Sequence, residues 1–253
     1  AWSTQEPLSH NYNTSLLLID GAGNWLAQLD TQPGYGFLPS SEWLPGSAVN
    51  DWLALGIADE LPQGAPLALV ARLYEVDTGM VVLTRRLGEI VLQGEEITFE
   101  ENQPTFTLPE ELTPLTAVFD DQIQLQGYDL QRVEDDTWQL TLYWQALRPN
   151  PQEALRFVHV FDPRTEQILY QNDGHPANNS YPTNQWVEGE IVGDTATIQL
   201  EEAHAGKYQI GVGFYRQEGD VTERLTAVDP TTGDAIADGR VLLPDPINHF
   251  THR

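Results

Sequence analysis

Two stretches of the chain repeat one pattern of acidic, aromatic and turn-forming residues, and they contain the best candidates for a binding site. Residues 28–51 align with residues 171–194 at a constant offset of 143. The residues that are identical at this offset are Gln28, Asp30, Pro33, Pro39, Trp43, Gly46 and Asp51, matched by Gln171, Asp173, Pro176, Pro182, Trp186, Gly189 and Asp194. Matches among such rare residue types seldom arise by chance. The chain is therefore a tandem repeat of a domain-sized unit, much longer than a solenoid repeat.

The acidic residues of the repeated stretch could hold a metal ion. Aspartate carboxylates are hard oxygen ligands of the kind that Ca²⁺ prefers. This reasoning predicts a calcium site in each copy, formed by Asp30 and Asp51 and by Asp173 and Asp194. A cation bound only by the native state would raise stability. The alternative is that these side chains cap turn amides.

The aromatic residues of the same stretch could stack on a sugar ring. They are Tyr35 and Trp43 in the first copy and Tyr181 and Trp186 in the second. The alternative is that the two tryptophans plug the open end of a sandwich. Because both copies keep the prolines and glycines that shape a loop, we favour the structural interpretation. Packed rings would support it, whereas rings open to solvent beside polar groups would support sugar binding.

Motifs of catalysis are missing from the sequence. It has no Gly-x-Ser-x-Gly elbow, no phosphate-binding glycine loop and no His-Glu-x-x-His. Carboxylate pairs suited to glycoside hydrolysis occur everywhere among 38 acidic residues, so their spacing carries no information. We therefore predict that the protein is not an enzyme, with an acid-pair glycosidase as a distant alternative.

The charge of the chain limits its partners. Its 12 basic and 38 acidic residues give a net charge of −26, which repels nucleic acid and anionic lipid headgroups. Cations, neutral glycans and basic protein surfaces remain as partners, although a surface adapted to high salt would also be acidic. No apolar run approaches the ~20 residues of a membrane span. The chain begins at Ala1 without a methionine, so we expect a processed protein or an excised piece.

Short strands separated by turns dominate the chain. The clearest is residues 138–146, where Trp138, Leu140, Leu142 and Trp144 alternate with polar residues. Residues 15–19 and 52–57 are further predicted strands, and no segment keeps a helical period. The pattern predicts an all-β fold of two tandem antiparallel β-sandwiches, jelly-roll or immunoglobulin-like. We predict domains at residues 1–93 and 120–253, joined by an acidic, proline-bearing linker at 94–119.

The first repeat starts late relative to the second. Trp2 aligns with Trp144 and Asp20 with Asp162, so nothing in the first unit matches residues 123–142. A sandwich without those strands exposes backbone groups and an apolar face. We therefore expect a bare groove beside residues 15–19. Either the chain is cut from a longer parent, or a neighbouring chain fills the groove by β-augmentation. The second idea fails if the linker folds back and closes the unit.

The second unit resembles a known module. The matching segments are residues 125–130 (LQGYDL), 140–147 (LTLYWQAL), 158–162 (VHVFD), 181–183 (YPT), 186–190 (WVEGE) and 206–215 (GKYQIGVGFY). In this order they resemble a β-sandwich module found, often in tandem, after the membrane part of bacterial glycosyltransferases of the dolichyl-phosphate-mannose mannosyltransferase type. The resemblance implies an extracytoplasmic accessory domain. It does not imply transferase activity, because the catalytic acids of those enzymes lie in membrane-proximal loops that this chain lacks, and it supplies no ligand residues.

These observations predict a non-enzymatic, extracytoplasmic structural or interaction module at the bacterial cell surface, part of a larger membrane protein or a surface assembly. Its predicted partner is a protein bound through the exposed sheet edge of the first repeat, or a neutral glycan. The alternative function is a carbohydrate-binding module that is accessory to a glycosyltransferase. We predict no cofactor, with Ca²⁺ as the one ion that the acids could hold, no nucleic-acid partner and no membrane-spanning segment.

Overall fold

The fold is all-β and its sheets are antiparallel, which confirms the predicted fold class. A computed structural model describes residues 2–21, 23–57, 61–94, 96–150, 152–177, 179–200 and 205–249. In these ranges the helical elements are single 3₁₀ turns, such as Ser40–Glu42 and Thr183–Gln185. The chain divides into two compact units, residues 1–103 (unit one) and 104–253 (unit two).

Unit one is built on one five-stranded sheet with the order β3-β2-β5-β6-β7. Its strands, with a separate short ladder between β1 and β4, are β1 (Trp2–Ser3), β2 (Tyr12–Ile19), β3 (Trp25–Thr31), β4 (Ala48–Val49), β5 (Leu67–Glu75), β6 (Val81–Gln93) and β7 (Glu96–Glu101). Apolar residues of β2 and β5 face one side of the sheet, where Leu18 and Leu67 form a small buried cluster with Leu92.

Unit two contains two sheets. Its strands are β8 (Thr113–Phe119), β9 (Ile123–Glu134), β10 (Thr137–Ala146), β11 (Leu155–Phe161), β12 (Ile168–Gly174), β13 (Ile191–Gln199), β14 (Gly206–Glu218), β15 (Val221–Arg224), β16 (Ala227–Val228), β17 (Ala235–Ile236), β18 (Val241–Leu242) and β19 (Ile247–His249). One sheet has the order β13-β10-β9-β8-β16-β17, and the other has the order β12-β11-β14-β15 with β18 and β19 also paired to β14. The alternating apolar residues of β10 and β14 meet in one core between the sheets.

The main sheet of unit one matches the second sheet of unit two in order and register. Strands β3-β2-β5-β6 correspond to β12-β11-β14-β15. The ladder pairs Thr14–Leu73, Leu16–Ala71 and Leu18–Leu69 correspond to Arg156–Phe214, Val158–Val212 and Val160–Ile210. Because the side chains of a strand alternate between its faces, this register puts Leu16 and Leu18 on the face that in unit two covers the core.

The other sheet of unit two survives in unit one only as a short remnant. In the β1–β4 ladder, Trp2 pairs with Val49 and Ser3 with Ala48, as Trp144 pairs with Val192 and Gln145 with Ile191 in unit two. The ladder of unit two then continues along β10 and β13 to the pair Thr137–Gln199. Within the described residues of unit one, nothing corresponds to β9 or to the rest of β10. The described part of unit one therefore contains no counterpart of the opening strands of unit two, as the offset predicts.

Two sequence-based assignments differ from the structure. The predicted linker at 94–119 contains β7, which pairs with β6, and β8, which pairs with β9. Ile97 and Phe99 alternate with Glu96 and Glu100, and the density of acidic residues conceals this strand signal. Residues 52–57, predicted as a strand, form no ladder, because the strand that pairs with the equivalent residues in unit two has no counterpart in unit one.

Candidate functional site

The repeated loop has the same internal structure in both units. Trp43 follows the turn Ser40–Glu42, and its Nε1 donates a hydrogen bond to the Leu38 carbonyl at 3.0 Å. Trp186 follows the turn Thr183–Gln185 and donates to the Tyr181 carbonyl at 3.1 Å. The hydroxyl oxygens of Ser40 and Thr183, at equivalent positions, accept from the amides of Tyr12 and Ala154, both at 2.8 Å. The conserved offset thus reflects one loop built twice.

Most of the aromatic rings predicted to stack on sugar are packed inside the loop. Trp43 is 6% exposed, Trp186 is 5% exposed and Tyr181 is 8% exposed. The Tyr181 hydroxyl lies 3.1 Å from each carboxylate oxygen of Glu190. Because their faces are covered, these three rings offer no stacking surface, and the plug interpretation describes them. Tyr35 differs: it is 60% exposed, and its hydroxyl donates to the Trp52 carbonyl.

The four predicted calcium ligands bond to groups of the protein. Asp51 Oδ1 accepts from the Gly34 amide, and Asp194 Oδ1 accepts from the Ala177 amide at 2.9 Å, which is the same bond at an offset of 143. Asp30 and Asp173 accept from the side-chain amides of Gln28 and Gln171, at 2.7 and 2.9 Å. In the described part of the chain, no three His, Cys, Asp or Glu residues form a metal-binding group. Calcium binding stays a prediction, which thermal melts with Ca²⁺ and with a chelator would test.

In unit two the repeated aspartate anchors a buried ion pair between the sheets. Arg156 comes from β11 and Asp194 from β13, and they are 2% and 1% exposed. Arg156 Nε donates to Asp194 Oδ2 at 2.8 Å, and Trp144 Nε1 donates to the same oxygen at 3.2 Å. A second guanidinium nitrogen lies 3.3 Å from Oδ1. Such a bidentate, multiply hydrogen-bonded pair offsets the cost of burying both charges.

Among the described residues of unit one, Asp51 has no such partner. The residue that corresponds to Arg156 is Thr14, which is too short to reach Asp51 with a donor. Asp51 Oδ2 and Thr14 Oγ1 are both inaccessible to solvent and form no hydrogen bond within the described residues. A buried polar atom without a partner is destabilising. In the described part of unit one, two buried oxygen atoms thus lack a hydrogen-bond donor at the position where unit two has its ion pair.

Thr14 and Asp51 line an open groove. A cavity of about 290 Å³ on the β2-β5-β6 face is lined by Trp2, Thr14, Leu16, Asp51, Leu53, Ala71, Leu83, Arg85 and Leu87. Leu55 and Leu61 cover the far end of this face, around Leu18 and Leu67. The predicted linker does not close it, because β7 extends the edge of the sheet and does not cross its face. The open part, named here the unit-one groove, agrees with the expected gap beside residues 15–19.

The equivalent space in unit two is filled by the chain itself. Leu140 and Leu142 of β10, which have no counterpart among the described residues of unit one, are buried there. Trp144, whose counterpart Trp2 lines the unit-one groove, packs edge-on against Phe214 at 4.7 Å and against Phe119 at 5.9 Å between ring centroids. The second unit therefore shows which type of element packs on the sheet face that corresponds to the unit-one groove.

A smaller cavity lies on the outer face of unit two. It measures about 180 Å³ and is lined by Phe157, His159, Asp173, Tyr215, Gln217, Thr222 and Arg224. His159 Nε2 lies 3.0 Å from Asp173 Oδ1, and the Arg224 guanidinium lies over the Phe157 ring at 4.8 Å. Burial and then the charge of Asp173 raise the pKa of the Tyr215 hydroxyl, which keeps it a hydrogen-bond donor at neutral pH. Of the predicted ligand residues, only Asp173 belongs to this cavity.

Sequence reasoning identified Asp51 and Asp194 but missed the residues that distinguish them. Arg156 and Thr14 were not singled out, although the offset of 142 that aligns Trp2 with Trp144 also aligns these two. The replacement of an arginine by a threonine at this repeated position was the signal in the sequence that could have identified the difference between the two sites.

Comparisons with known proteins supply no further assignment. A scan against models of protein families gave no match, and a search of curated proteins gave none either. In the described residues, no helix has the length and apolar character needed to cross a membrane.

Proposed function

We propose that the protein is a non-catalytic interaction module of the bacterial cell surface, in which unit one holds a segment of a partner protein. The observation that carries this proposal is the unit-one groove. There Leu83 and Leu87 are 40% and 36% exposed, whereas unit two buries the corresponding face of its sheet under its own strands. Burial of such a face by a partner strand is favourable because it removes apolar surface from water.

Backbone pairing supports the same proposal. In unit two, Asp194, Ala196 and Ile198 of β13 pair with Leu142, Leu140 and Trp138 of β10. The corresponding residues in unit one are Asp51, Leu53 and Leu55, and the described chain forms no ladder with them. A strand that runs antiparallel to residues 51–55 would extend the β1–β4 ladder. This is β-augmentation, in which main-chain hydrogen bonds provide affinity and side-chain pockets provide specificity.

The extracytoplasmic location rests on the resemblance to modules that follow the membrane part of bacterial glycosyltransferases. The absence of cysteine and the acidic surface are compatible with it. In the proposal, unit two is the self-contained sandwich and unit one is the attachment point.

A synthetic hairpin with the sequence of residues 127–143 tests whether the unit-one groove binds an added strand. This hairpin contains the β9–β10 segment that fills the equivalent space in unit two. We expect the full-length protein to bind the fluorescently labelled hairpin, measured by anisotropy. Leu83→Gln, in the groove, should weaken binding about tenfold or more. Val76→Gln is the matched control, because Val76 and Leu83 are 39% and 40% exposed but Val76 does not line the groove. No binding at about 1 mM hairpin would overturn the proposal.

Glycan binding is a second candidate, favoured by the outer-face cavity of unit two. The ring of Tyr215 is partly exposed there, and His159, Gln217 and Thr222 provide polar groups around it. This combination suits a neutral sugar, which needs an apolar platform and a few directed hydrogen bonds. Calorimetric titration with neutral oligosaccharides tests it. A Tyr215→Ala variant that binds as the wild type does would exclude this cavity.

A further inference from the structure

We propose that the partner segment places a basic side chain, an arginine, on Asp51 Oδ2 in the unit-one groove. This inference rests on the proposed function and specifies the chemistry of the partner. The segment would be a β-strand antiparallel to residues 51–55, apolar on its inward face except for the arginine opposite Asp51.

The two aspartates differ in the hydrogen bonds that their Oδ2 atoms accept. Asp194 Oδ2 receives hydrogen bonds from Arg156 and Trp144, whereas Asp51 Oδ2 receives none within the described residues. Thr14, which replaces Arg156, leaves its own Oγ1 buried and unpaired beside the groove. Thr14 and Asp51 both line the cavity of the unit-one groove. An incoming guanidinium would supply donors to both orphaned oxygens.

The ladder register defines which residue of a partner strand would lie opposite Asp51. The residue of β10 that pairs with Asp194 is Leu142, which is buried and faces the core. A partner strand in the same register would place its corresponding side chain directly opposite Asp51, at the distance of a cross-strand pair. An arginine at that position faces the carboxylate, whereas its neighbours along the strand alternate to the outward face.

The charge of unit one is complementary to that of a basic strand. Residues 1–103 contain 14 acidic and 3 basic residues, a net charge of −11. Two copies of unit one facing each other would therefore repel, which disfavours a homodimer, whereas a basic strand is attracted. Arg85 also lines the groove, but no ion pair joins it to Asp51 in the described part of the chain. The groove thus selects for positive charge at one defined position.

The test uses three versions of the 127–143 hairpin against the full-length protein: the unchanged sequence, Leu142→Arg and Thr141→Arg. Both arginine hairpins carry the same charge, but position 142 faces inward and position 141 outward. We expect the Leu142→Arg hairpin to bind about tenfold more tightly than the Thr141→Arg hairpin. The protein variant Asp51→Asn, which keeps an acceptor for the Gly34 amide, should abolish that difference. Asp30→Asn, whose ladder partner Ser15 faces away from the groove, should preserve it.

Each outcome separates this inference from the proposed function. If all three hairpins bind equally and Asp51→Asn changes nothing, the groove accepts strands but does not select arginine, and only this inference fails. If none binds, both fail. If sedimentation shows a concentration-dependent dimer that Leu83→Gln disrupts, a second copy occupies the groove, and the arginine partner is excluded.

Discussion

Asp194 of unit two and Asp51 of unit one occupy the same position of a repeat but differ in their surroundings. Each accepts a hydrogen bond from an amide of its own loop, so both hold the loop in shape. Only Asp194 also meets an arginine and a tryptophan from neighbouring strands. The comparison separates two roles of one residue: loop capping, which is local and kept in both units, and sheet-to-sheet bridging, which requires the complete sandwich.

The largest expected effect on stability comes from replacing Arg156 of unit two by the threonine that unit one has at the corresponding position. Arg156→Thr leaves Asp194 as a buried charge without its partner, so we expect unit two to lose about 3–5 kcal/mol of stability. Hydrogen exchange in urea, followed in peptides of β10 and β11, measures the loss for this unit alone.

Two controls accompany Arg156→Thr. Arg164→Thr breaks a solvent-screened pair with Asp162 and should leave stability nearly unchanged. Adding Asp194→Asn to Arg156→Thr removes the unpaired charge and should restore part of the loss. A double variant that is less stable than Arg156→Thr would contradict this explanation.

The reverse conversion should have a smaller effect of opposite sign. Thr14→Arg supplies unit one with the missing guanidinium, and we expect a gain of about 1–2 kcal/mol, because a hydrogen bond to a charged group contributes about that much. Exchange of the β2 and β5 amides provides the measurement. Thr14→Met has a similar length but no charge, so it isolates packing from pairing. If both variants stabilise unit one equally, the gain comes from filling the groove with a longer side chain and not from pairing with Asp51.

The sequence predicted the parts of the structure that depend on local pattern or on the repeat. Alternation identified β10, the constant offset identified the repeated loop, and the late start of the first repeat predicted the unit-one groove. Residues 52–57 were mispredicted because a strand exists only when another strand pairs with it, and pairing is non-local. Burial of Trp43 and Trp186 was the favoured of two interpretations, because both copies keep the residues that shape the loop, although a tryptophan in a loop has the same sequence signature whether packed or exposed. The Arg156–Asp194 pair joins different sheets, so no spacing along the chain indicated it.

The smallest expected effect concerns a histidine that only unit two has in its loop. His175 corresponds to Gln32, and its Nδ1 is buried without a hydrogen bond among the described residues. Burial lowers its pKa below the ordinary 6.5, and the charge of Glu153 partly offsets this. Because the folded pKa is depressed, protonation favours the unfolded chain. The contribution of the neutral His175 ring to the free energy of unfolding is therefore complete above pH 6.5. This contribution is lost as pH falls through the pKa of the folded state.

Replacing His175 by the glutamine of unit one should remove this pH dependence. At pH 7.5 we expect His175→Gln to lie within about 1 kcal/mol of the wild type, since glutamine fits the equivalent loop. Between pH 7.5 and 5.5 unit two of the wild type should lose stability, and the variant should lose less. Hydrogen exchange in the loop and in β13, measured in urea, gives the free energy of unfolding of unit two for each protein at each pH. The many carboxylates titrate alike in wild type and variant, so their effect cancels when the two proteins are compared. If wild type and variant lose equal stability over this range, His175 does not titrate there, and the two loops respond to acid alike.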